Sequence, residues 1–191
     1  MINWLRRALL SRVYRKTIKQ NSVVHKKESS KKLNIISVIL DHRLGIDKEH
    51  FKKIGTHFNI PRKNVRVLTF FQSPNQINKA NYANSCTPKN ISGWGVLNGV
   101  LVDFCSENSD ILINFYDQDD VNLKYLSAKS NKKLSIGFKS VDHALNDLII
   151  EVDAQNIDVF ISECIKYLKY FLTTRNERNS GTWRGDDYSV Q

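Results

Sequence analysis

Cysteine, proline and methionine are scarce in this sequence: its 191 residues include three cysteines, three prolines and one methionine. The cysteines, Cys86, Cys105 and Cys164, are odd in number and widely spaced, and no C-x-x-C pair occurs. A disulfide framework and a zinc site built on paired thiolates are therefore excluded as interpretations. We expect Cys105 and Cys164 to be buried thiols, because each falls in an apolar helical pattern, and we expect a reducing, cytoplasmic environment.

Long hydrophobic runs are also missing. The longest apolar run near the N terminus is Ala8–Leu10, which is far shorter than the about 7–15 apolar residues of a secretory signal peptide. No segment approaches the ~20 apolar residues that a membrane-spanning helix needs. We therefore expect a soluble protein, or one in peripheral contact with the inner membrane.

Motifs that carry known chemistry are absent as well. The sequence has neither a G-x-S-x-G nucleophile motif nor a phosphate-binding P-loop. Gly93, Gly95 and Gly99 are spaced one residue too widely for the dinucleotide-binding fingerprint, so we interpret them as turn glycines and expect Trp94 to pack over the domain edge. The five histidines form no metal-spaced pair, and we predict no metal and no cofactor.

Positive charge is present in excess, and it is concentrated at one end. The formal net charge is +10, and residues 1–32, with ten basic residues and one acidic residue, account for +9 of it. The other 159 residues are nearly neutral. Six basic residues fall in a predicted N-terminal helix and are the predicted contacts of a basic arm: Arg6, Arg7, Arg12, Arg15, Lys16 and Lys19.

This arm has three interpretations. It binds an anionic membrane surface, it binds nucleic acid through phosphates, or its apolar stripe packs on its own domain or on a partner protein. Nucleic acid is the least favoured partner, because no recognition motif accompanies the charge.

The apolar patterns predict an α/β fold. Strands are predicted over 33–40, 65–71, 110–116, 134–138 and 147–152, with a weak strand or turn over 91–95. Helical patterns alternate with them, and the clearest runs from 157 to 172. We predict a single three-layer, Rossmann-like domain with a mostly parallel sheet of about five or six strands, preceded by a basic N-terminal helix.

Domain boundaries follow from the same patterns. Residues 1–32 are predicted as the basic helical arm and connector, 33–174 as the α/β domain, and 175–191 as a flexible tail. Residues 72–90 are predicted to form a long polar connection. The apolar stripe of the first helix, over 2–20, is predicted from spacing to contain Ile2, Leu5, Leu9 and Val13.

Carboxylates follow two of the predicted strands. Asp41 and His42 end the first strand, and Asp117 and Asp119 follow the strand over 110–116. In a parallel sheet these strand ends share one edge, where ligands usually bind. The four side chains are candidate catalytic residues, although an aspartate such as Asp119 or Asp120 in this position commonly caps the next helix instead.

The run over 110–171 resembles an uncharacterised domain-of-unknown-function family of Bacteroidota. The matching positions are Asp110–Tyr116, Leu126, Ala128, Ser130, Ile136–Phe138, Leu145–Ile150, Phe160 and Tyr167–Leu168. The resemblance implies a basic N-terminal helix joined to a Rossmann-like domain, with no assigned activity. The strand that begins at Asp110, its helix and the S-x-x-x-x-x-x-G strand are also similar to the N-terminal half of heptosyltransferase-type glycosyltransferases.

These observations leave the activity open, and whether the protein is an enzyme stays undecided. The leading hypothesis is a non-enzymatic or degenerate α/β binding or scaffold domain, held at a membrane or partner by residues 1–32. The alternative is a small-molecule or glycosyltransferase-like enzyme that uses the strand-end carboxylates. A weaker alternative is nonspecific binding of nucleic acid through the arm.

Overall fold

The apolar, β-branched runs of the sequence form the centre of a parallel sheet. The computed structural model describes residues 2–23, 33–77 and 83–179. Within them six strands pair in parallel, in the order β3-β2-β1-β4-β5-β6. The strands are β1 (Ile36–Asp41), β2 (Val65–Phe70), β3 (Ser85–Cys86), β4 (Ser109–Phe115), β5 (Lys132–Phe138) and β6 (Leu148–Ile150). This order is that of doubly wound nucleotide-binding folds.

Helices cover both faces of the sheet. They are α1 (Ile2–Val23), α2 (Glu49–His57), α3 (Val100–Ser106), α4 (Val121–Lys129) and α5 (Ile157–Asn179). Helices α2 and α5 pack on one face, and α1, α3 and α4 pack on the other. The predicted single α/β domain with a parallel sheet and an N-terminal helix is thus confirmed.

Each face has its own apolar core. Under α2 and α5 the rings of Phe51, Phe115, Phe138 and Phe160 meet with centroids 4.8–5.0 Å apart. The opposite core joins side chains of the sheet to α1, α3 and α4. Every residue of β1 is buried, as expected for a central strand that helices cover on both sides.

One of the six strands lies in a different part of the sequence from the one predicted. Of the two alternatives given for 91–95, a weak strand or a turn, the structure has the turn, which is closed by an antiparallel bridge between Ile91 and Leu97. The edge strand is β3, inside the segment 72–90 that was predicted as a connection. Two residues are too few for an alternation of apolar and polar side chains, so the pattern over 72–90 carries no strand signal.

Residues 1, 24–32, 78–82 and 180–191 lie outside the described residues. The last of these segments contains most of the predicted tail. Helix α5 continues to Asn179, five residues into the segment predicted as a tail. The division at residue 32 stays a prediction. Cys105 and Cys164 are buried free thiols, as predicted.

Candidate functional site

The carboxyl ends of β1 and β4 lie side by side at the centre of the sheet. The chain runs outward from β1 to β2 and β3, and then returns to β4 on the other side of β1. This reversal of strand order is where doubly wound folds bind their ligands. Of the predicted site residues, Asp41 is the last residue of β1, His42 follows it, and Asp117 and Asp119 follow β4.

Asp41 is fully buried and is paired with Arg43. The guanidinium of Arg43 donates from Nε to Asp41 Oδ2 at 2.9 Å and from Nη2 to the same oxygen at 2.5 Å. The backbone N–H of Arg43 donates to Asp41 Oδ1 at 3.0 Å. The side-chain hydrogen bonds to Asp41 raise the pKa of Arg43. A buried carboxylate needs such a cation, so the pair stabilises the turn after β1 and leaves Asp41 poorly placed to accept a substrate proton.

Asp120 continues this network into α4. Its Oδ1 accepts the backbone N–H of Asn122 at 2.8 Å, which caps the helix, and the Asn122 side-chain amide at 2.9 Å. Its Oδ2 lies 3.9 Å from Arg43 Nη2 and accepts a hydrogen bond from Gln72 Nε2 at 3.4 Å. Of the two capping candidates, Asp120 is therefore the cap.

Arg6 connects the same network to α1. Its Nη2 donates to Asn122 Oδ1 and to the carbonyl of Pro88, both at 2.7 Å, and its Nε donates to the carbonyl of Ile91 at 3.2 Å. Partial burial lowers the pKa of Arg6. We name the five residues Arg6, Asp41, Arg43, Asp120 and Asn122 the carboxyl-edge network.

The other predicted site residues lie at the surface of this edge. His42 is exposed, and its ring stacks on Phe71 with centroids 4.1 Å apart. Asp119 is exposed and pairs with Lys124, and Asp117 accepts a hydrogen bond from Gln118 at 3.2 Å. Among the described residues, no three His, Cys, Asp or Glu side chains are grouped to hold a metal ion. A catalytic role for the four residues stays a prediction.

An open depression of about 490 Å³ lies farther along the same edge, beyond β5 and β6. It is lined by Phe138, Lys139, Ser140, Ile150, Glu151, Val152 and Asp153. Lys139 Nζ donates to Glu151 Oε1 at 2.6 Å within it. None of the four predicted site residues lines this depression.

Helix α1 packs on the domain from Arg6 to Asn21. Leu10 and Tyr14 are buried against the core of the α4 face. Tyr14 donates its hydroxyl hydrogen to Asp142 Oδ2 at 2.6 Å, and Asn21 Nδ2 donates to the carbonyl of Ala128 at 2.7 Å. Burial and this hydrogen bond raise the pKa of Tyr14, and the bond lowers the pKa of Asp142. Arg6 and Asn21 thus reach opposite ends of α4.

The stripe predicted for α1 is wrong in part: Val13 does pack against the core of the α4 face, but the stripe includes Leu5 and misses Leu10. Leu5 is 55% exposed, whereas Leu10 is fully buried. The polar anchors explain the difference, because Arg6 and Tyr14 find partners only when the Leu10 side faces the domain. Spacing of apolar residues alone misses these anchors.

The opposite side of α1 is basic. Arg12, Arg15, Lys16 and Lys19 are exposed there, and we name these four residues the basic face. Arg7 borders it and is exposed too, and Trp4 is 75% exposed. No acidic residue occurs anywhere in α1. None of the helices in the described residues is both long enough and apolar enough to cross a bilayer.

A sequence comparison places the chain in a family. Residues 6–171 match the profile of a family described as "Family of unknown function (DUF6913)". The chain belongs to this family. The DUF6913 match includes α1 from Arg6 onward and all six strands. No curated protein and no solved structure has significant similarity to the chain.

Proposed function

We propose that this DUF6913 domain is a non-catalytic binding module that docks on anionic membrane surfaces through the basic face of α1. The observation that carries the proposal is a group of basic side chains on one face of α1 that have no carboxylate partner in the part of the chain that the structure describes. Outside α1, eight lysines and arginines lie within ion-pair distance of a carboxylate: Arg43, Lys53, Arg62, Arg66, Lys124, Lys133, Lys139 and Lys166.

Three of the four residues of the basic face lack this internal compensation. Within the described residues, no carboxylate lies within 4.0 Å of Arg12, Arg15 or Lys16. Packing of α1 on the domain fixes these charges on one exposed side of a rigid helix. Each basic side chain near an anionic leaflet contributes about 1 kcal/mol to binding at physiological salt.

The carboxyl edge supports an enzymatic role less well. Its buried acid, Asp41, is neutralised by Arg43, and Asp120 is occupied as a helix cap. A general base or a metal ligand needs a carboxylate oxygen that is open to substrate or ion. In the carboxyl-edge network, the oxygens of Asp41 and Asp120 instead accept hydrogen bonds from the protein itself.

Sedimentation with lipid vesicles tests the proposal. The full chain is mixed with vesicles of phosphatidylcholine alone or with added phosphatidylglycerol, and the bound fraction is measured at low and high salt. We expect binding only to the anionic vesicles, and we expect salt to weaken it by screening.

Matched variants identify the surface. The triple variant Arg12→Gln/Arg15→Gln/Lys16→Gln removes three charges from the basic face and should lower partitioning by about 100-fold. The control Arg62→Gln/Lys139→Gln/Lys166→Gln removes three exposed charges elsewhere and should retain most binding. Equal losses in both variants contradict the proposal, as does binding to nucleic acid without binding to vesicles.

A further inference from the structure

A tight turn beside α1 exposes apolar side chains at its tip. The carbonyl of Ser92 accepts the N–H of Gly95 at 3.0 Å, and the Ser92 N–H donates to the carbonyl of Val96 at 2.9 Å. Gly95 has a φ of 77°, which favours glycine. We name residues 92–96 the Trp94 turn. Trp94 is 72% exposed and Val96 64% exposed, so the predicted packing of Trp94 over the domain edge is wrong.

The Trp94 turn is held firmly against α1 and α4. A Cβ atom on Gly93 would lie 3.4 Å from Arg6 Cα, so the turn runs directly against the backbone of α1. A Cβ atom on Gly95 would lie 2.9 Å from Val13 Cγ1, and the hydroxyl of Tyr125 donates to the Gly95 carbonyl at 2.6 Å. The structure thus fixes the position of an exposed tryptophan next to the basic helix.

Exposed tryptophan is uncommon because burial of its ring is strongly favourable. Within the part of the chain that the structure describes, two tryptophans are exposed, Trp4 on α1 and Trp94 on the adjoining turn, together with Leu5 and Val96. Tryptophan prefers the headgroup region of a bilayer, where its ring is in an apolar layer and its N–H is hydrated. Apolar residues beside a basic helix face are the composition of interfacial membrane-binding surfaces.

We infer that the Trp94 turn is a second membrane contact, which inserts Trp94 and Val96 into the headgroup layer while the basic face binds anionic lipid. This inference rests on the proposed function and adds the orientation of the bound protein. Charge complementarity selects lipid as the occupant, because the turn adjoins a helix that has no acidic residue. The apolar contact makes part of the binding independent of salt.

Tryptophan quenching on vesicles tests the inference. A full-length variant with Trp4→Phe and Trp183→Phe keeps Trp94 as its single tryptophan. With anionic vesicles that contain brominated lipid, we expect a blue shift and strong quenching of its emission. A control variant carries all three Trp→Phe changes and Val159→Trp, which puts the reporter at a half-exposed position of α5 on the other sheet face, and its emission should not change.

The outcomes separate the two proposals. Sedimentation of the anionic vesicles with quenched Trp94 supports both. Sedimentation without quenching of Trp94 overturns this inference and leaves the proposed function standing. The same result is expected if the Trp94 turn binds a protein and not lipid. Failure to sediment with anionic vesicles overturns both.

A substitution gives a second, independent readout. Trp94→Ala/Val96→Ser should lower partitioning by about tenfold at high salt as well as at low salt, because the lost contact is apolar. The control Val102→Ser/Val159→Ser changes two half-exposed valines outside α1 and the Trp94 turn and should have no effect. Unchanged binding of the Trp94→Ala/Val96→Ser variant would contradict the inference.

Discussion

The exposed side of α1 and the carboxyl edge of the sheet are both rich in charged side chains, but these charges have different partners. At the carboxyl edge, Arg43 neutralises Asp41, and Asp120 caps α4. On the basic face, Arg12, Arg15 and Lys16 have no carboxylate nearby within the described residues. Charge that the fold neutralises serves stability, and charge that it leaves exposed is available to another molecule.

The comparison also limits what the order of strands in the sheet implies about ligand binding. A strand order of 3-2-1-4-5-6 indicates where a ligand would bind, at the ends of β1 and β4. The side chains at that position decide whether one does. Here they bind one another, and the exposed surface that we propose for a partner lies on a helix that covers the sheet.

The largest expected effect concerns the two sides of α1. Leu10→Ala should lower the free energy of unfolding by about 3 kcal/mol, because it leaves a cavity in the core under the helix. The control Leu5→Ala, on the exposed side, should change it by less than about 0.5 kcal/mol. Urea denaturation followed by circular dichroism measures both. Equal losses would mean that α1 does not pack through its Leu10 side.

A smaller effect is expected from opening the carboxyl-edge network. Arg43→Ala leaves the buried Asp41 carboxylate without its cation, and it should lower the free energy of unfolding by about 2 kcal/mol. Asp41→Asn/Arg43→Ala should recover part of this loss, because the uncompensated charge is gone. Urea denaturation of the three proteins is the measurement. An Arg43→Ala variant as stable as the wild type would refute a structural role for the pair.

The smallest expected effect concerns the hydrogen bond between α1 and the loop after β5. Tyr14→Phe should cost about 1 kcal/mol near neutral pH. The pKa of Asp142 is lowered by this bond, so its contribution is present above the ordinary aspartate pKa of about 3.9 and is lost as the pH falls through the lower, folded-state pKa. The difference in unfolding free energy between wild type and variant should therefore shrink in acid. A difference that is constant from neutral to strongly acidic pH would contradict this account.

Much of the fold is predictable from local sequence. The apolar runs over 33–40 and 110–116 correspond to β1 and β4, and the helical spacing over 157–172 falls within α5. The edge strand β3 and the facing of α1 are not predictable in this way. The first is too short to carry a pattern, and the second depends on partners of Arg6 and Tyr14 that are distant in the chain.

The candidate sites, like the fold, are partly predictable from local sequence and partly dependent on contacts between distant residues. Asp41 and the basic residues of α1 are visible in the sequence, since strand ends and charge runs are local features. The structural importance of the pairing between Asp41 and Arg43 depends on burial of the carboxylate by the sheet, which local sequence does not show. The exposure of Trp94 likewise depends on Gly93 and Gly95, which bring the turn against α1 with its tip outward.

Lysine footprinting tests the central claim most directly, because one experiment reads both regions in the unmodified chain. The protein is acetylated at trace level with and without anionic vesicles, and mass spectrometry measures the labelling of Lys16 on the basic face and Lys139 at the carboxyl edge. Both lysines are exposed. We expect vesicles to lower the labelling of Lys16 several-fold and to leave that of Lys139 unchanged. Protection of Lys139 instead, or equal labelling of Lys16 with and without vesicles, would contradict the account.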